Sequence, residues 1–282
     1  MALPAAETTH QFEGKNHADL YLEGRPEWPQ EIIQRVMQYL LLKKLPPQTL
    51  ALDVGCGSGQ NTIPLAPHFE RVVGVDVSKA QTEAGRRRTD KPTNVEFQVG
   101  SAEDLLFADD NSVDLVTCAT SFHWFDKDAF FKEADRVLKP SGCIAIYWYN
   151  KIHPCVEGDE GKNEKIRQTV IEMDSVTLRP YTTDTVKSLE SKPDETRIPY
   201  EDNIRDDTIE LLVDSTLALY VKYVRSWAGY QHYTRQIPGG QDLAKDLQDK
   251  LMDIMGLDGS PEGANIKLKL PVTLLLGRKP NP

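Results

Sequence analysis

Positive charge is scarce in this chain. Its 282 residues carry 33 Lys and Arg against 43 Asp and Glu, a formal net charge of −10. The densest basic cluster, Arg86-Arg87-Arg88, is a single turn. Binding a nucleic-acid backbone needs positive charge to displace counterions, so no nucleic-acid partner is expected. One or two arginines would still suffice for a small anion. Long apolar runs are missing too. No stretch approaches the roughly 20 residues that span a bilayer, and no membrane partner is expected. The opening MALPAAETTHQFEGKN has no basic start followed by an apolar run and does not read as a secretory signal. Cysteine is sparse: Cys56, Cys118, Cys143 and Cys155 form no C-x-x-C pair and no metal-ligand spacing, so no metal site is expected. Cys118 and Cys143 fall in apolar runs, where a thiol serves as a small hydrophobe. A soluble cytoplasmic protein with reduced thiols is the expectation. No Ser–His–Asp order and no D-P-P-Y motif occurs, and nothing points to an oligomeric state.

What is present is an alternation of short β-branched runs with helical stretches. Ile32, Ile33, Val36, Tyr39 and Leu40 recur at helical spacing within 17–43, a helix entered through Pro26 and Pro29 and stopped by Pro46 and Pro47. Strands are expected at 50–54, 71–75, 95–99, 113–118 and 143–148. Helices are expected after the first strand to about Pro67, at 78–88 and at 126–138, with Lys139-Pro140-Ser141-Gly142 as a turn. This order implies a parallel sheet with helices on both faces. Beyond residue 150 the composition turns polar, and helices are expected near 160–178, 182–192, 207–229 and 240–256. Two alternating apolar runs, 265–270 and 272–277, read as an antiparallel pair at the sheet edge.

The chemistry concentrates at Leu52-Asp53-Val54-Gly55-Cys56-Gly57-Ser58-Gly59. Glycines at every second position between a strand and a helix let the backbone approach a ligand closely. The dinucleotide spacing G-x-G-x-x-G fails here: counted from Gly55 it ends on Gln60, and from Gly57 on Thr62. That disfavours a nicotinamide cofactor. A phosphate-cradling loop fails as well, because no G-K-[ST] follows. Asp53 would repel the phosphates of a dinucleotide but favour a ligand bearing an ammonium. Asp76, which closes the second strand, can take both hydroxyls of a ribose, or could cap the next helix. One turn and two acids thus describe a cationic amino acid joined to a nucleoside, and S-adenosylmethionine is such a ligand.

On these residues the chain resembles the class I S-adenosylmethionine-dependent methyltransferases, and more narrowly the trans-aconitate methyltransferase-like group of small-molecule enzymes. The resemblance implies an α/β fold, a Rossmann-like seven-stranded mixed sheet with the last strand antiparallel, helices on both faces and a helical lid insertion. It implies an N-terminal lid segment and helix (1–45), a cofactor-binding core (46–150), a helical insertion over the substrate (151–260) and a C-terminal strand pair completing the sheet (261–282). It implies S-adenosylmethionine held by Asp53, Gly55, Cys56, Gly57, Gly59, Asp76 and Val77. Ser101, Ala102 and Glu103 would lie at the adenine, and Ala119, followed by Thr120 and Ser121, at the end of the fourth strand.

For the acceptor, the stretch Tyr21-Leu22-Glu23-Gly24-Arg25-Pro26-Glu27-Trp28-Pro29 resembles a Y-x-x-x-R-P-x-Y-P segment that folds over the cofactor. By that resemblance Tyr21 and Arg25 belong to the catalytic site, Arg25 holding a carboxylate. His123 and Trp124 follow the fourth strand. His123 could be a base for a hydroxyl, amine or thiol acceptor, or simply pack in its loop. Trp148, Arg225, Trp227 and Tyr230 are expected at the acceptor, because ligands of open α/β sheets bind at strand C-terminal ends and aromatics exclude water there. Arg225-Ser226-Trp227 also resembles an R-T-W-S stretch of the lid, with Ala228 in place of the final Ser. The expected activity is methyl transfer to a small molecule, by preference to a carboxylate oxygen. N-, S- or C-methylation, or binding without catalysis, are the alternatives.

Overall fold

The structure is a computed structural model that describes residues 28–43, 47–149, 151–182 and 196–281. Eight strands form one sheet among these residues: β1 (Leu50–Val54), β2 (Arg71–Asp76), β3 (Val95–Val99), β4 (Val113–Ala119), β5 (Leu138–Tyr149), β6 (His153–Cys155), β7 (Asn203–Thr216) and β8 (Asn265–Arg278). Their order is β3-β2-β1-β4-β5-β8-β6, with β7 also paired to β8. Pairing is parallel from β3 through β5, and β8 runs antiparallel to β5, β6 and β7. The chain winds outward from β1 to β3, then returns to the other side of β1 as β4. That reversal makes the C-terminal ends of β1 and β4 the place where an open α/β sheet has room for a ligand.

Side-chain alternation divides the core into two layers. Ala51, Val72, Leu115, Cys143, Ala145 and Tyr147 share one cluster with Ile32, Ile33, Val36 and Leu40 of α1 (Gln30–Leu41). Leu52, Val73, Val75, Val116, Cys118, Ile144 and Ile146 share the other with Phe130, Ala134 and Val137 of α4 (Lys127–Val137). Between them in sequence lie α2 (Thr62–Leu65), a single turn that Pro64 and Pro67 keep short, and α3 (Lys79–Arg87). Gly85 of α3 allows close approach to β3: a Cβ there would stand 2.7 Å from the Phe97 ring.

Four expectations are corrected. Lys139–Gly142 do not separate α4 from a strand but bulge inside β5, with Val113 pairing Leu138 and Leu115 pairing Cys143. The excursion brings Lys139 Nζ to 2.9 Å from the fully buried Asp114 carboxylate, which also accepts from Thr49 N at 2.8 Å and Leu50 N at 3.1 Å. The expected helix at 207–229 begins as strand β7, and only α6 (Leu217–Arg225) and α7 (Ala228–Gln236) are helical. In β7 only Ile209 and Leu211 are buried, and pairing with β8 overrides local propensity. The expected terminal pair is one continuous strand. Pro271 falls between the β6-paired 267–269 and the β5-paired 272–278, where a missing N–H is tolerated. The expected helix near 160–178 is α5 (Glu160–Glu172) followed by a π turn, Met173–Thr177. The expected helix at 182–192 lies outside the described residues from 183 on. The last helix, α8 (Leu243–Met255), ends on Gly256 in the left-handed conformation, φ 71°.

Candidate cofactor site

Strand β1 ends on a turn that only glycine accommodates. Gly55, Gly57 and Gly59 have φ of 69°, 54° and 94°. A Cβ on Gly55 would stand 2.4 Å from Ser121 Cβ, and one on Gly59 2.5 Å from the Phe97 ring. The Gly55 and Cys56 amides donate to Val75 O at 2.7 and 3.0 Å, tying the turn to β2.

Asp53 is fully buried beneath this turn. Its carboxylate accepts from Asn61 Nδ2 at 2.8 Å, Thr62 Oγ1 at 2.6 Å and Thr117 Oγ1 at 2.9 Å. Burial raises its pKa to about 6, although these three donors pull it down. The Tyr147 hydroxyl continues the network by donating to Asn61 Oδ1. Trp28 stands edge-on to Tyr147, ring centroids 4.7 Å apart, and tilted against Tyr149 at 5.3 Å. Asp76 accepts from Gly57 N and Ser78 N, each at 2.8 Å. Burial moves its pKa upward as well. Ser78, not Asp76, is the N-cap of α3, accepting from Gln81 N at 3.3 Å. The capping alternative for Asp76 is thereby removed.

Two cavities open at the switch point and share Gly55, Gly57, Ala119 and Thr120 as a common wall. The smaller adds Asp53, Cys56, Gln60, Asn61, Trp28 and Tyr149. The larger adds Asp76, Val77, Ser78 and Gln81 on one side, and Gly100, Ala102, Ser121, Trp124 and Phe125 on the other. One compartment is a carboxylate with amides and two aromatic rings. The other is an apolar slot with an acid at its edge. The first suits a charged amino-acid group and the second a flat ring with a sugar. Buried polar atoms without a partner, Gln81 Oε1 and Thr120 Oγ1, belong to residues lining the larger slot, as expected of a site whose ligand supplies the missing bonds.

The remaining expected residues are spread more widely. Gly59 packs on Phe97 and lines neither cavity. Ser101 and Glu103 bond to each other, and Glu103 Oε1 accepts from Asp126 N at 2.9 Å; they brace the loop whose Gly100 and Ala102 reach the slot. His123 is exposed, its ring 5.1 Å from that of Trp124, and it lines neither cavity. Trp148 lies on the opposite face of β5 from Tyr147 and Tyr149, with the Arg205 guanidinium 5.8 Å from its ring, so it faces neither cavity. Arg225 pairs with Asp242 at 2.8 Å, the Tyr230 hydroxyl donates to Asp242 at 2.9 Å, and Trp227 packs on Tyr223. These three form a network between α6, α7 and α8 rather than a cavity wall. Tyr21 and Arg25 lie outside the described residues. Thr120 lines both cavities, as its place after the fourth strand implied, whereas Gln60, Asn61, Gln81 and Tyr149 were not expected at the site. For Asn61 the available signal was its place just past the glycines; for Tyr149, its even spacing from Tyr147.

A doubly wound sheet with a glycine turn, the fully buried Asp53 and the half-buried Asp76 at its switch point is the arrangement of an α/β protein that binds a nucleoside-containing cofactor. The comparisons with known proteins narrow this. A family described as "Methyltransferase domain" matches residues 52–146. A Dictyostelium discoideum protein named "Putative methyltransferase" is 27% identical over 262 residues, 92% of each chain. A Saccharomyces cerevisiae protein named "Probable S-adenosylmethionine-dependent methyltransferase" is 26% identical over 275 residues, 89% of this chain and 90% of its own. The solved structure of a "Putative Type II Methyltransferase" from Anaeromyxobacter dehalogenans superposes with a TM-score of 0.68 at 25% identity, covering 91% of this chain and 99% of that one. The chain carries a methyltransferase domain over residues 52–146 and is an S-adenosylmethionine-dependent methyltransferase, with S-adenosylmethionine as its cofactor.

Proposed function

We propose that the enzyme methylates a carboxylate oxygen of a small acid, giving a methyl ester, as the resemblance to the trans-aconitate methyltransferase-like group implies. The observation that carries this reading is the absence of a base from the cavity walls among the described residues. No His or Lys lines either cavity, His123 is exposed, and both acids are committed to hydrogen bonds. An amine, thiol or alcohol must lose a proton, whereas a carboxylate is already ionised at neutral pH.

In this reading Asp53, with Asn61 and Tyr147 behind it, faces the amino-acid end of the cofactor, and Asp76 takes the ribose hydroxyls. Val77, Ala102 and Phe125 sandwich the adenine, with Gly55, Cys56 and Gly57 supplying close backbone. Bound there, S-adenosylmethionine supplies a methyl group activated on a sulfonium. The protein's part is to orient the nucleophile in line and exclude water, an effect worth roughly 7–11 kcal/mol when alignment is good. Trp28 and Tyr149 shield the cavity beside Asp53. By the same resemblance the N-terminal segment, with Tyr21 and Arg25, is assigned to the acceptor, whereas Trp227 and Tyr230 are held in the network between α6, α7 and α8. The four cysteines, free and buried, accord with a cytoplasmic location. No helix of the described residues is long and apolar enough to cross a membrane.

Supplying methyl-labelled S-adenosylmethionine with panels of small acids, amines and thiols tests the reading. Label that appears in a base-labile product from acids alone supports ester formation. Transfer confined to amines or thiols overturns it. Calorimetry with S-adenosylmethionine and then NADH checks the donor independently.

A further inference from the structure

Thr120 stands where the two cavities meet and is held in a conformation its side chain disfavours. Its φ is 59°, in the left-handed region that β-branched residues avoid. Both sides of the residue enforce this. The Thr120 amide donates to Tyr147 O at 2.8 Å, and the next residue's hydroxyl, Ser121 Oγ, donates to Val54 O at 2.8 Å. Ser121 in turn fills the space that Gly55 leaves open. The Thr120 hydroxyl oxygen is buried and has no hydrogen-bond partner. Strain and an unpaired polar atom at one residue are two separate penalties. A glycine would avoid both, and such outliers concentrate where a ligand is gripped.

We propose that the Thr120 hydroxyl is a donor contact: its oxygen is directed at the sulfonium segment of S-adenosylmethionine, where the nucleoside and amino-acid parts join, and it helps the site favour the charged donor over the neutral product. The inference rests on the cavity assignment above, with the amino-acid end beside Asp53 and the nucleoside beside Asp76. Thr120 is lined up with both compartments, so a ligand spanning them must pass it. Transfer removes the methyl as a cation equivalent, turning the sulfonium into the uncharged thioether of S-adenosylhomocysteine. A hydroxyl dipole whose oxygen faces the sulfur position stabilises the first species and is nearly indifferent to the second. Among the described residues no other hydroxyl of the shared wall can do this, because that wall is otherwise Gly55, Gly57 and Ala119.

The test is the ratio of the two dissociation constants, measured by calorimetry on the full-length protein. Thr120→Gly removes the hydroxyl and the strain together. It should raise Tm by a few degrees while weakening S-adenosylmethionine about tenfold and S-adenosylhomocysteine less than twofold, in keeping with a hydrogen-bonding dipole at a charged group. Thr120→Ser should keep the wild-type ratio. Thr120→Val should lose it, and if valine prevents folding the glycine variant answers the same question. An unchanged ratio in Thr120→Gly overturns the proposal, as does a ratio in Thr120→Ser that falls to the value of Thr120→Gly. Failure of the wild type to bind either ligand would instead overturn the cavity assignment. Loss of affinity for both ligands alike in Thr120→Gly would make the residue a scaffold of the loop and not a contact to the sulfonium.

Discussion

Strands β1 and β4 and strands β7 and β8 belong to one sheet, yet they handle polar groups in opposite ways. In the first pair the acids are buried and fully engaged: Asp53 takes three side-chain donors, and Asp114 takes two backbone amides, the Thr49 hydroxyl and Lys139. In the second pair the charges lie on the surface, with Lys267 2.8 Å from Asp214 and Lys269 2.9 Å from Glu210. A buried acid with fixed partners defines a place, because removing it strands several donors at once. An exposed ion pair is screened by water and salt and defines little. The cavities accordingly open at the first pair of strands, and the second pair extends and covers the sheet.

Mutations can break this contrast. Replacing Asp114 with Ala should have the largest effect, about 3–5 kcal/mol off the unfolding free energy, since it removes the carboxylate facing Lys139 and strands the Thr49 and Leu50 amides. Urea unfolding measures it, and a loss below 1 kcal/mol would erase the contrast. Next comes Asp53. Its folded pKa of about 6 exceeds the ordinary carboxylate value, so between about pH 4 and 6 the folded chain holds a proton that the unfolded chain has released. Stability contributed by this group therefore falls as pH rises through that window, by about 3 kcal/mol in total, and is level above it. Asp53→Asn should flatten that part of the stability profile. Affinity for S-adenosylmethionine should rise as pH passes 6 in the wild type and not in the variant. Asp76→Ala should weaken S-adenosylmethionine by about 1–3 kcal/mol, read by calorimetry; unchanged affinity would remove the ribose from Asp76. Lys267→Ala on the β7–β8 pair should leave the urea unfolding midpoint almost unchanged, the more so in high salt. A larger loss there would mean that the two regions are held alike.

The candidate site was legible where its signal is local. Glycine spacing, Asp53 and the acid ending β2 announce a strand, a sharp turn and two carboxylates within a short stretch. The parallel strands to residue 118 were legible from their β-branched runs. Residues 203–216 were not, because an edge strand buries few side chains and Ile209-Glu210-Leu211-Leu212-Val213 also fits a helical face. Trp148 was expected at the acceptor because it ends a strand. Register against β8 turns it to the opposite face and leaves Tyr147 and Tyr149 on the cavity side. His123 and Arg225 have the residue types of catalytic groups, but one is exposed and the other ion-paired to Asp242.

By itself the sequence determined the glycine turn, the α/β alternation and the donor, since each depends on residue type at short spacing. Only the tertiary structure decided the direction of Trp148, the αL backbone at Thr120, the continuity of β8 through Pro271 and the raised pKa of Asp53. These depend on which distant strand lies alongside and on how much water it displaces, and neither is encoded in neighbouring residues.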